Sequence, residues 1–459
     1  MTPVQDEVKA ATRTYVYGYP LVCNMEEIAK FPAGTTQLVD GKTPYNQFGF
    51  ARDLMTPETK FVSPNNDTLY VIAPCDVGQG PLVLHVPDTG GRYYVLQFID
   101  AWTNNFAYVG RRATGTDEAR FLLASGSYDG PVPEGMQAVT APTALFVIGG
   151  RIQVDGPEGL AAARALQDQF TLTPLAMDQG AQAPSPVVGV PEPDPRVRED
   201  LKWWETLRVA LAAFPPPAAD APYLQAAAHF GLTAAESPYV DPDPALAELL
   251  VQGQRQGEAM IEQLSKTTLE IVDGWSTALH AFDYNLDYFG PGTIDDPGWK
   301  IADRDKAYVT RAVAARLGLW GNHGYEAIYC LLWQDEHGDE LDGSRAYELT
   351  LSPPPPVQAF WSLTMYDEPD YYLVDNPINR YSIGDRTPGL QQPPTARSRS
   401  TCSAAHRAKA KSRTGYPRLP GGSGRSYGAT YLATPSCLTN TSYRRSVGST
   451  EARKPLLPI

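Results

Sequence analysis

The first segment of the chain has the hydrophobic period of a helix, and the period then changes to that of strands. The helix is expected to end near Gly18 and Pro20, because both residues interrupt helices. Its apolar face consists of Val4, Val8, Ala11 and Tyr15. Runs of β-branched, aromatic and leucine residues follow, and this pattern is typical of an antiparallel sandwich or jelly roll. These predicted strands are Leu82 to Val86, Tyr93 to Ile99 and Thr143 to Ile148.

A region of helical period begins near Gly156 and extends to about Asp305. Amphipathic spacing and Pro-rich joints predict separate helices here, and a further helix follows directly. The predicted helices are Leu201 to Leu211, Leu246 to Leu264 and Lys306 to Leu317. This region is therefore expected to form a helical middle of the chain.

Strands resume after these helices. Glu326 to Trp333 and Ala346 to Leu351 flank a polar turn, which predicts a hairpin. In Ala359 to Tyr366, apolar and polar residues alternate, which predicts a strand with a strongly apolar side. That side consists of Trp361, Leu363 and Met365.

Composition and charge exclude several classes of protein. No apolar run approaches the roughly 18 residues that span a bilayer, so we do not expect the chain to be an integral membrane protein. The first residues show no basic patch followed by an apolar stretch, so we expect no secretory signal and a cytoplasmic location. The first 390 residues hold 26 basic and 51 acidic side chains. This negative charge disfavours contact with phosphate backbones, so no nucleic-acid partner is expected.

Six segments form a recognisable pattern: YVYGYPLV, FVSPNNDTLY, VPDTGGRYYVLQFIDAWTNNFAYVGRRATG, LDGSRAYELTL, PPPPVQAFWSLTMYD and LVDNPINRYSIGDRTPGL. Together they resemble the paired domain-of-unknown-function families 1254 and 1214 over nearly all of residues 10 to 390. The resemblance implies an α+β fold of two antiparallel jelly-roll-like β-sandwich modules joined by a helical middle region, in a homo-oligomer. The resemblance does not indicate any particular reaction. The expected parts are an N-terminal β module (residues 1–155), a helical middle (156–317), an incomplete C-terminal β module (318–390) and a tail (391–459).

The tail differs from everything before it. It holds twelve basic residues and one acidic residue, Glu451, and almost no hydrophobic periodicity. With permitted synonymous codons and one shared offset, Arg413–Pro420 becomes NWLPTPA, Thr395 onward becomes GALTLYLQ and Pro435 onward becomes VLLDQHELPP, which are endings typical of the resembled family. We therefore infer a single frameshift near Leu390 to Gln392. The competing hypothesis is a basic, disordered tail that binds acidic partners.

Polar residues suited to chemistry cluster in the PNNDT loop, along the strand after Arg92, and in a loop from Asn376 to Arg386. The candidate catalytic residues are Asp67 and Asp100 as acid or base, with Tyr94 stabilising developing charge. The candidate substrate-binding residues are Asn65, Asn66, Thr68, Arg92, Asn104, Arg111, Arg112, Asn379, Arg380 and Tyr381. The alternative is structural, because Asn, Asp and Thr side chains commonly hold backbone groups in turns.

Three functional hypotheses follow from these residues. As an enzyme, the protein would carry out hydrolysis or elimination on a small polar molecule, without a cofactor. As a binding module, it would hold a carbohydrate or metabolite, and as a structural oligomer it would use the polar motifs to join domains. The six histidines show no metal-ligand spacing, so no metal site is expected.

Overall fold

The fold divides into two compact units, each built from segments that are distant in the sequence. A computed structural model of the chain describes residues 3–182, 184–185, 187–265, 270–345, 347–349, 351, 355–387, 427–431 and 447–449. Unit 1 comprises Met1–Asp53, Thr68–Thr268 and His280–His323, and unit 2 comprises Leu54–Asp67, Leu269–Leu279 and Gly324–Ile459. The protein is thus of mixed α+β class.

Unit 1 contains the described α-helices. They are α1 (Pro3–Ala33), α2 (Gly156–Gln167), α3 (Leu175–Asp178), α4 (Lys202–Ala213), α5 (Ala221–His229), α6 (Pro244–Ser265) and α7 (Arg304–Gly318). The predictions for α4, α6 and α7 are confirmed to within two residues at each end. Their signals are local: α7, for example, begins after Asp303, whose carboxylate accepts a hydrogen bond from Lys306 N at 2.9 Å.

The predicted end of the first helix was wrong, because α1 continues through Gly18 and Pro20 to Ala33. Gly18 is a packing position rather than a terminator: a Cβ there would lie 2.4 Å from Leu207 Cδ2 of α4. Beyond the proline, Leu21 and Phe31 are fully buried. Burial of this apolar face stabilises the helix beyond the point where its local sequence would end it.

α1 also packs closely against α6. A Cβ on Gly253 would lie 2.5 Å from Ala11 Cβ, and a Cβ on Gly257 would lie 2.3 Å from Tyr15 Cδ1. Neither distance leaves room for a methyl group in a close-packed interior. The two glycines of α6 therefore set the spacing of these helices.

We expect Gly253→Ala to lower the free energy of unfolding by about 1–3 kcal/mol, because the added methyl overlaps Ala11. Gly318→Ala is the matched control. Gly318 is the last residue of α7, and an added Cβ there meets nothing within 4 Å, so stability should stay equal or rise by up to about 1 kcal/mol. Urea denaturation measures both variants. Equal effects of the two substitutions would contradict the packing argument.

Unit 1 also contains two sheets. Their strands are β1 (Gly49–Phe50), β2 (Thr68–Asp76), β3 (Leu82–Val86), β4 (Tyr94–Asp100), β5 (Asn105–Gly110), β6 (Ala119–Ser125), β7 (Met136–Ala141), β8 (Leu145–Gln153) and β9 (Thr171–Pro174). One sheet has the order β1-β2-β8-β4-β5 and is antiparallel. The other has the order β7-β6-β3-β9, in which β6 and β7 are parallel. Every residue of β2, β4 and β5 is buried, so both faces of these strands are covered.

Unit 2 is built around a larger sheet. Its strands are β10 (Glu270–Val272), β11 (Trp275–Thr277), β12 (Ile328–Leu332), β13 (Tyr347–Leu349), β14 (Trp361–Met365), β15 (Ser382–Gly384), β16 (Tyr427–Tyr431) and β17 (Val447–Ser449). The large sheet has the order β10-β11-β12-β16-β14-β15, and β13 pairs separately with β17. None of the sheets in the described part of the chain closes into a barrel.

The predicted hairpin between β12 and β13 was wrong. β12 pairs with β11 on one side and β16 on the other, so neither edge is available to β13. The polar turn between them is local: the Asp335 carboxylate accepts hydrogen bonds from His337 N and Asp339 N, and an isolated bridge joins Gln334 and Glu340. Pairing partners were decided by distant strands rather than by the nearest one.

Both sides of β14 are covered. On the polar side, Ser362 and Thr364 are each 1% exposed. On the predicted apolar side, Trp361 is 3% exposed and the half-buried Leu363 packs against a buried apolar cluster. The apolar side of this strand is confirmed, whereas burial of its polar side, to which Ser362 of the candidate site belongs, was not predicted.

The predicted tail, residues 391–459, lies outside the described residues apart from β16 and β17. β16 is hydrogen-bonded between β12 and β14. The frameshift stays a prediction. Among the residues that the structure describes, no helix has the length and apolar character needed to cross a membrane.

Candidate functional site

Two asparagines hold the loop that precedes β2. Asn65 Oδ1 accepts a hydrogen bond from Asp67 N at 3.1 Å, and Asn66 Nδ2 donates to Met55 O at 2.5 Å. Such amide-to-backbone bonds fix the course of a turn. The acidic side chain that this loop presents is Asp67, which is 13% exposed.

Side chains from β14, β15 and the turn after β15 surround the Asp67 carboxyl. The hydroxyls of Ser362 and Ser382 hydrogen-bond to it, and Arg386 Nη2 lies 4.0 Å from Asp67 Oδ1. Strand register explains the arrangement, because Gly384 lies opposite Ser362. A Cβ on Gly384 would lie 2.3 Å from the carbonyl oxygen of Trp361, so glycine is required there. We call Asp67, Ser362, Ser382, Asp385 and Arg386 the Asp67 site.

The electrostatics of this site favour a carboxyl that holds its proton more tightly than an exposed one. Burial raises the pKa of Asp67, and the charge of Asp385 adds to the rise. The hydrogen bond from Ser362 and the charge of Arg386 oppose it without cancelling it. Burial also raises the pKa of Asp385. A carboxyl with a raised pKa suits proton transfer closer to neutral pH.

An aromatic ring orients the Arg386 guanidinium. Its Cζ lies 4.0 Å from the centroid of the Phe360 ring, a favourable cation–π geometry. The 4.0 Å separation from Asp67 exceeds a hydrogen bond, so the attraction between them is electrostatic. With 23% of its side chain exposed, Arg386 can reach a bound solute, and a guanidinium offers paired donors to a carboxylate or an oxyanion.

Asp100, the last residue of β4, contacts Asn104, which directly precedes β5. The Asp100 carboxylate accepts hydrogen bonds from Asn104 N and Nδ2, both at 2.8 Å, and Arg311 Nη2 donates to Asn104 Oδ1 at 2.8 Å. Burial raises the pKa of Asp100 to about 6, against the hydrogen bonds from Asn104 and the charge of Arg311. Asp100 is 0% exposed and Asn104 5%. This carboxylate therefore has no surface that a solute can touch.

Three further candidate residues of unit 1 are held by contacts within that unit or are buried in it. Tyr94 is 1% exposed and packs edge-to-face against Phe170, with the ring centroids 5.9 Å apart. Arg92 pairs with Asp155 at 3.1 Å. Thr68 is the buried first residue of β2.

The adjacent arginines of unit 1 differ from each other. Arg112 donates to Gly292 O at 2.7 Å, and its guanidinium lies 5.4 Å from the centre of the Tyr108 ring. Arg111 is exposed. Arg112 thus has bonds to its own unit, while Arg111 faces solvent.

Asn376 holds the polar loop before β15. Its Nδ2 donates to Arg380 O at 2.9 Å, and its Oδ1 accepts from Arg380 N at 3.2 Å. Asn379 has a φ of 48°, a left-handed conformation that asparagine tolerates, and it accepts a hydrogen bond from the Tyr381 hydroxyl at 3.3 Å. The three predicted residues Asn379, Arg380 and Tyr381 therefore form one turn.

Sequence reasoning missed the role of Ser362 and took Ser382, Asp385 and Arg386 only as part of a polar loop. The one sequence signal for Ser362 is its position in an alternating strand beside Thr364. Among the described residues, no group of three His, Cys, Asp or Glu side chains is placed to hold a metal ion.

Comparisons with known proteins match both halves of the chain. A family model described as "Protein of unknown function (DUF1254)" matches residues 45–174, and one described as "Protein of unknown function (DUF1214)" matches residues 326–422. The second match extends past Leu390, where the frameshift is predicted. No curated protein matches the chain with significance.

Two solved structures are similar to the chain. The VPA0106 protein from Vibrio parahaemolyticus is 24% identical, with a TM-score of 0.68 over 97% of this chain and 100% of that chain. It shows a shared fold. An uncharacterized protein from Burkholderia cenocepacia is 9% identical, with a TM-score of 0.41 over 97% of this chain and 95% of that chain, a similarity too low to inform the fold.

Proposed function

We propose that this chain, whose residues 45–174 belong to the DUF1254 family and whose residues 326–422 belong to the DUF1214 family, is an enzyme that uses the Asp67 site for acid–base chemistry. Its substrate is a small polar molecule. The observation that carries the proposal is the Asp67 carboxyl, which is partly accessible, has a raised pKa and lies beside the Arg386 guanidinium. Perturbed carboxyls of this kind concentrate at functional sites.

Hydrolysis and elimination are the reactions that suit this arrangement. As general base, Asp67 takes a proton from water, or from a carbon next to a carbonyl group. Arg386 stabilises the negative charge that develops on the substrate oxygen. Asp67 then returns the proton to the leaving group, so that the carboxylate is restored.

The test is a substrate screen with the full chain, followed by matched variants. For any ester, amide, glycoside or hydroxy acid that is turned over, Asp67→Asn should lower kcat at least about 100-fold, because the amide cannot take up the proton. Asp375→Asn changes an exposed carboxyl of the same unit and should leave kcat unchanged. Full activity in Asp67→Asn would refute the proposal.

Binding without turnover is the second candidate function. Hydroxyls, carboxylates and a guanidinium stacked on Phe360 also suit a carbohydrate or metabolite. Stabilisation of the chain by such a ligand without product formation favours this alternative.

The arrangement of the sheets and the assembly of the chain are also proposed. We propose jelly-roll-like sandwiches in both units and a homo-oligomer in the cytoplasm. The edge strand β10 supports self-association, because Ile271 on it is 71% exposed. Sedimentation equilibrium measures the number of subunits.

A further inference from the structure

A cavity of about 450 Å³ that is open to solvent lies between α1, α6 and α7 of unit 1, and none of its lining residues belongs to the Asp67 site. Its volume is in the range of small-molecule sites, roughly 300–1,000 Å³. The wall residues that matter here are Tyr19 of α1, Arg316 of α7, and Arg255, Glu258, Ala259 and Glu262 of α6.

Helical spacing brings the α6 residues to the cavity. Arg255, Glu258 and Glu262, with Ala259, recur at intervals of three and four residues, so they form one stripe along α6. Ala259, which is exposed, and the half-buried ring of Tyr19 add apolar surface to the wall. The cavity thus combines a charged stripe with apolar surface.

The charges of this stripe are only partly paired. Glu262 forms an ion pair with Arg316 at 3.4 Å. Glu258 accepts hydrogen bonds from two neutral donors, Gln254 Nε2 at 3.0 Å and the Tyr15 hydroxyl at 3.4 Å, and within the described residues it has no cationic partner. Arg255 likewise forms no ion pair with any described residue. One cation and one anion, a single helical turn apart, therefore line the same cavity, and neither forms an ion pair with another residue that the structure describes.

We propose that this cavity binds a small zwitterion, an α-amino acid with an apolar side chain. Arg255 binds the carboxylate, because a guanidinium offers paired donors in the geometry that a carboxylate accepts. Glu258 accepts hydrogen bonds from the ammonium group. The apolar side chain of the ligand packs on Ala259 and the ring of Tyr19, where burial adds affinity.

Isothermal titration calorimetry of the full chain with L-leucine and L-phenylalanine tests the proposal. We expect a Kd below about 1 mM for at least one of them. For the leucine series, 4-methylpentanoate lacks the ammonium group and 3-methylbutylamine lacks the carboxylate. Each should bind at least about tenfold more weakly, because each leaves one charged wall residue unsatisfied.

Variants separate the two ends of the ligand. Arg255→Gln should weaken leucine at least about tenfold and leave 3-methylbutylamine unchanged, while Glu258→Gln should weaken leucine and leave 4-methylpentanoate unchanged. Arg13→Gln, at another exposed position of unit 1, is the matched control and should bind like the unaltered chain. The proposal is overturned if neither amino acid binds, if 4-methylpentanoate binds as tightly as leucine, or if Arg255→Gln binds leucine normally.

Discussion

Asp220→Ala is expected to lower the free energy of unfolding by about 3–5 kcal/mol, the usual cost of breaking a buried ion pair. Asp220 is 0% exposed, and its carboxylate accepts hydrogen bonds from the hydroxyls of Tyr17, at 3.3 Å, and Tyr308. Arg304 Nη1 donates to the same carboxylate at 2.8 Å. The alanine variant leaves two buried hydroxyls and part of a guanidinium without an acceptor.

Asp287→Ala is the matched control for this network. Asp287 also accepts hydrogen bonds from Arg304, at 2.8 and 3.0 Å, but its side chain is 28% exposed. Water can replace it, so we expect a loss below about 1 kcal/mol. Urea denaturation followed by tryptophan fluorescence measures both variants, because Trp102 packs 5.1 Å from the Tyr17 ring. If both variants lose equal stability, burial of Asp220 is not what makes the network important.

The second large effect is a dependence on pH that originates at Asp100. Burial raises the pKa of this carboxyl to about 6 in the folded chain, compared with about 3.9 in an unfolded chain. Between these values the folded state holds a proton that the unfolded state lacks. The stabilisation from this group is therefore fully present below about pH 4 and is lost as the pH rises through about 6.

Asp100→Asn removes this titration. As the pH rises from 4 to 7, the unaltered chain should lose about 2 kcal/mol of unfolding free energy relative to the variant, because only the unaltered chain loses the stabilisation that comes from the Asp100 proton. Denaturation curves at the two pH values measure the change. Asp117→Asn, at an exposed position of the same unit, is the control and should show no such change. A difference that stays constant with pH in Asp100→Asn would show that Asp100 has the same pKa in both states.

The sequence predicts which carboxyls are candidates for a site, but not which of them a solute can touch. Asp67 and Asp100 were predicted from the same kind of signal, a carboxyl among amides and hydroxyls. Their surroundings differ: Asp67 lies beside Ser362 and Arg386 and is partly exposed, whereas Asp100 is enclosed by its own unit. Exposure and pKa depend on residues hundreds of positions away, so no local pattern could separate the two.

The same holds for the unpredicted network at Asp220. Its partner Tyr17 lies on α1, and its partners Arg304 and Tyr308 both lie on α7. Nothing near Asp220 in the sequence signals them. Only packing of the helices brings their side chains to one carboxylate.

The sequence by itself determined the elements whose signals are local. The amphipathic periods of α4, α6 and α7 and the composition of β3 are complete within each segment, and they predicted nearly the observed bounds. Tertiary structure decided the course of α1 past Pro20, the partners of β12 and the burial of the polar side of β14. In these cases the free energy of burying surface against distant segments outweighs a local preference worth a few kcal/mol at most.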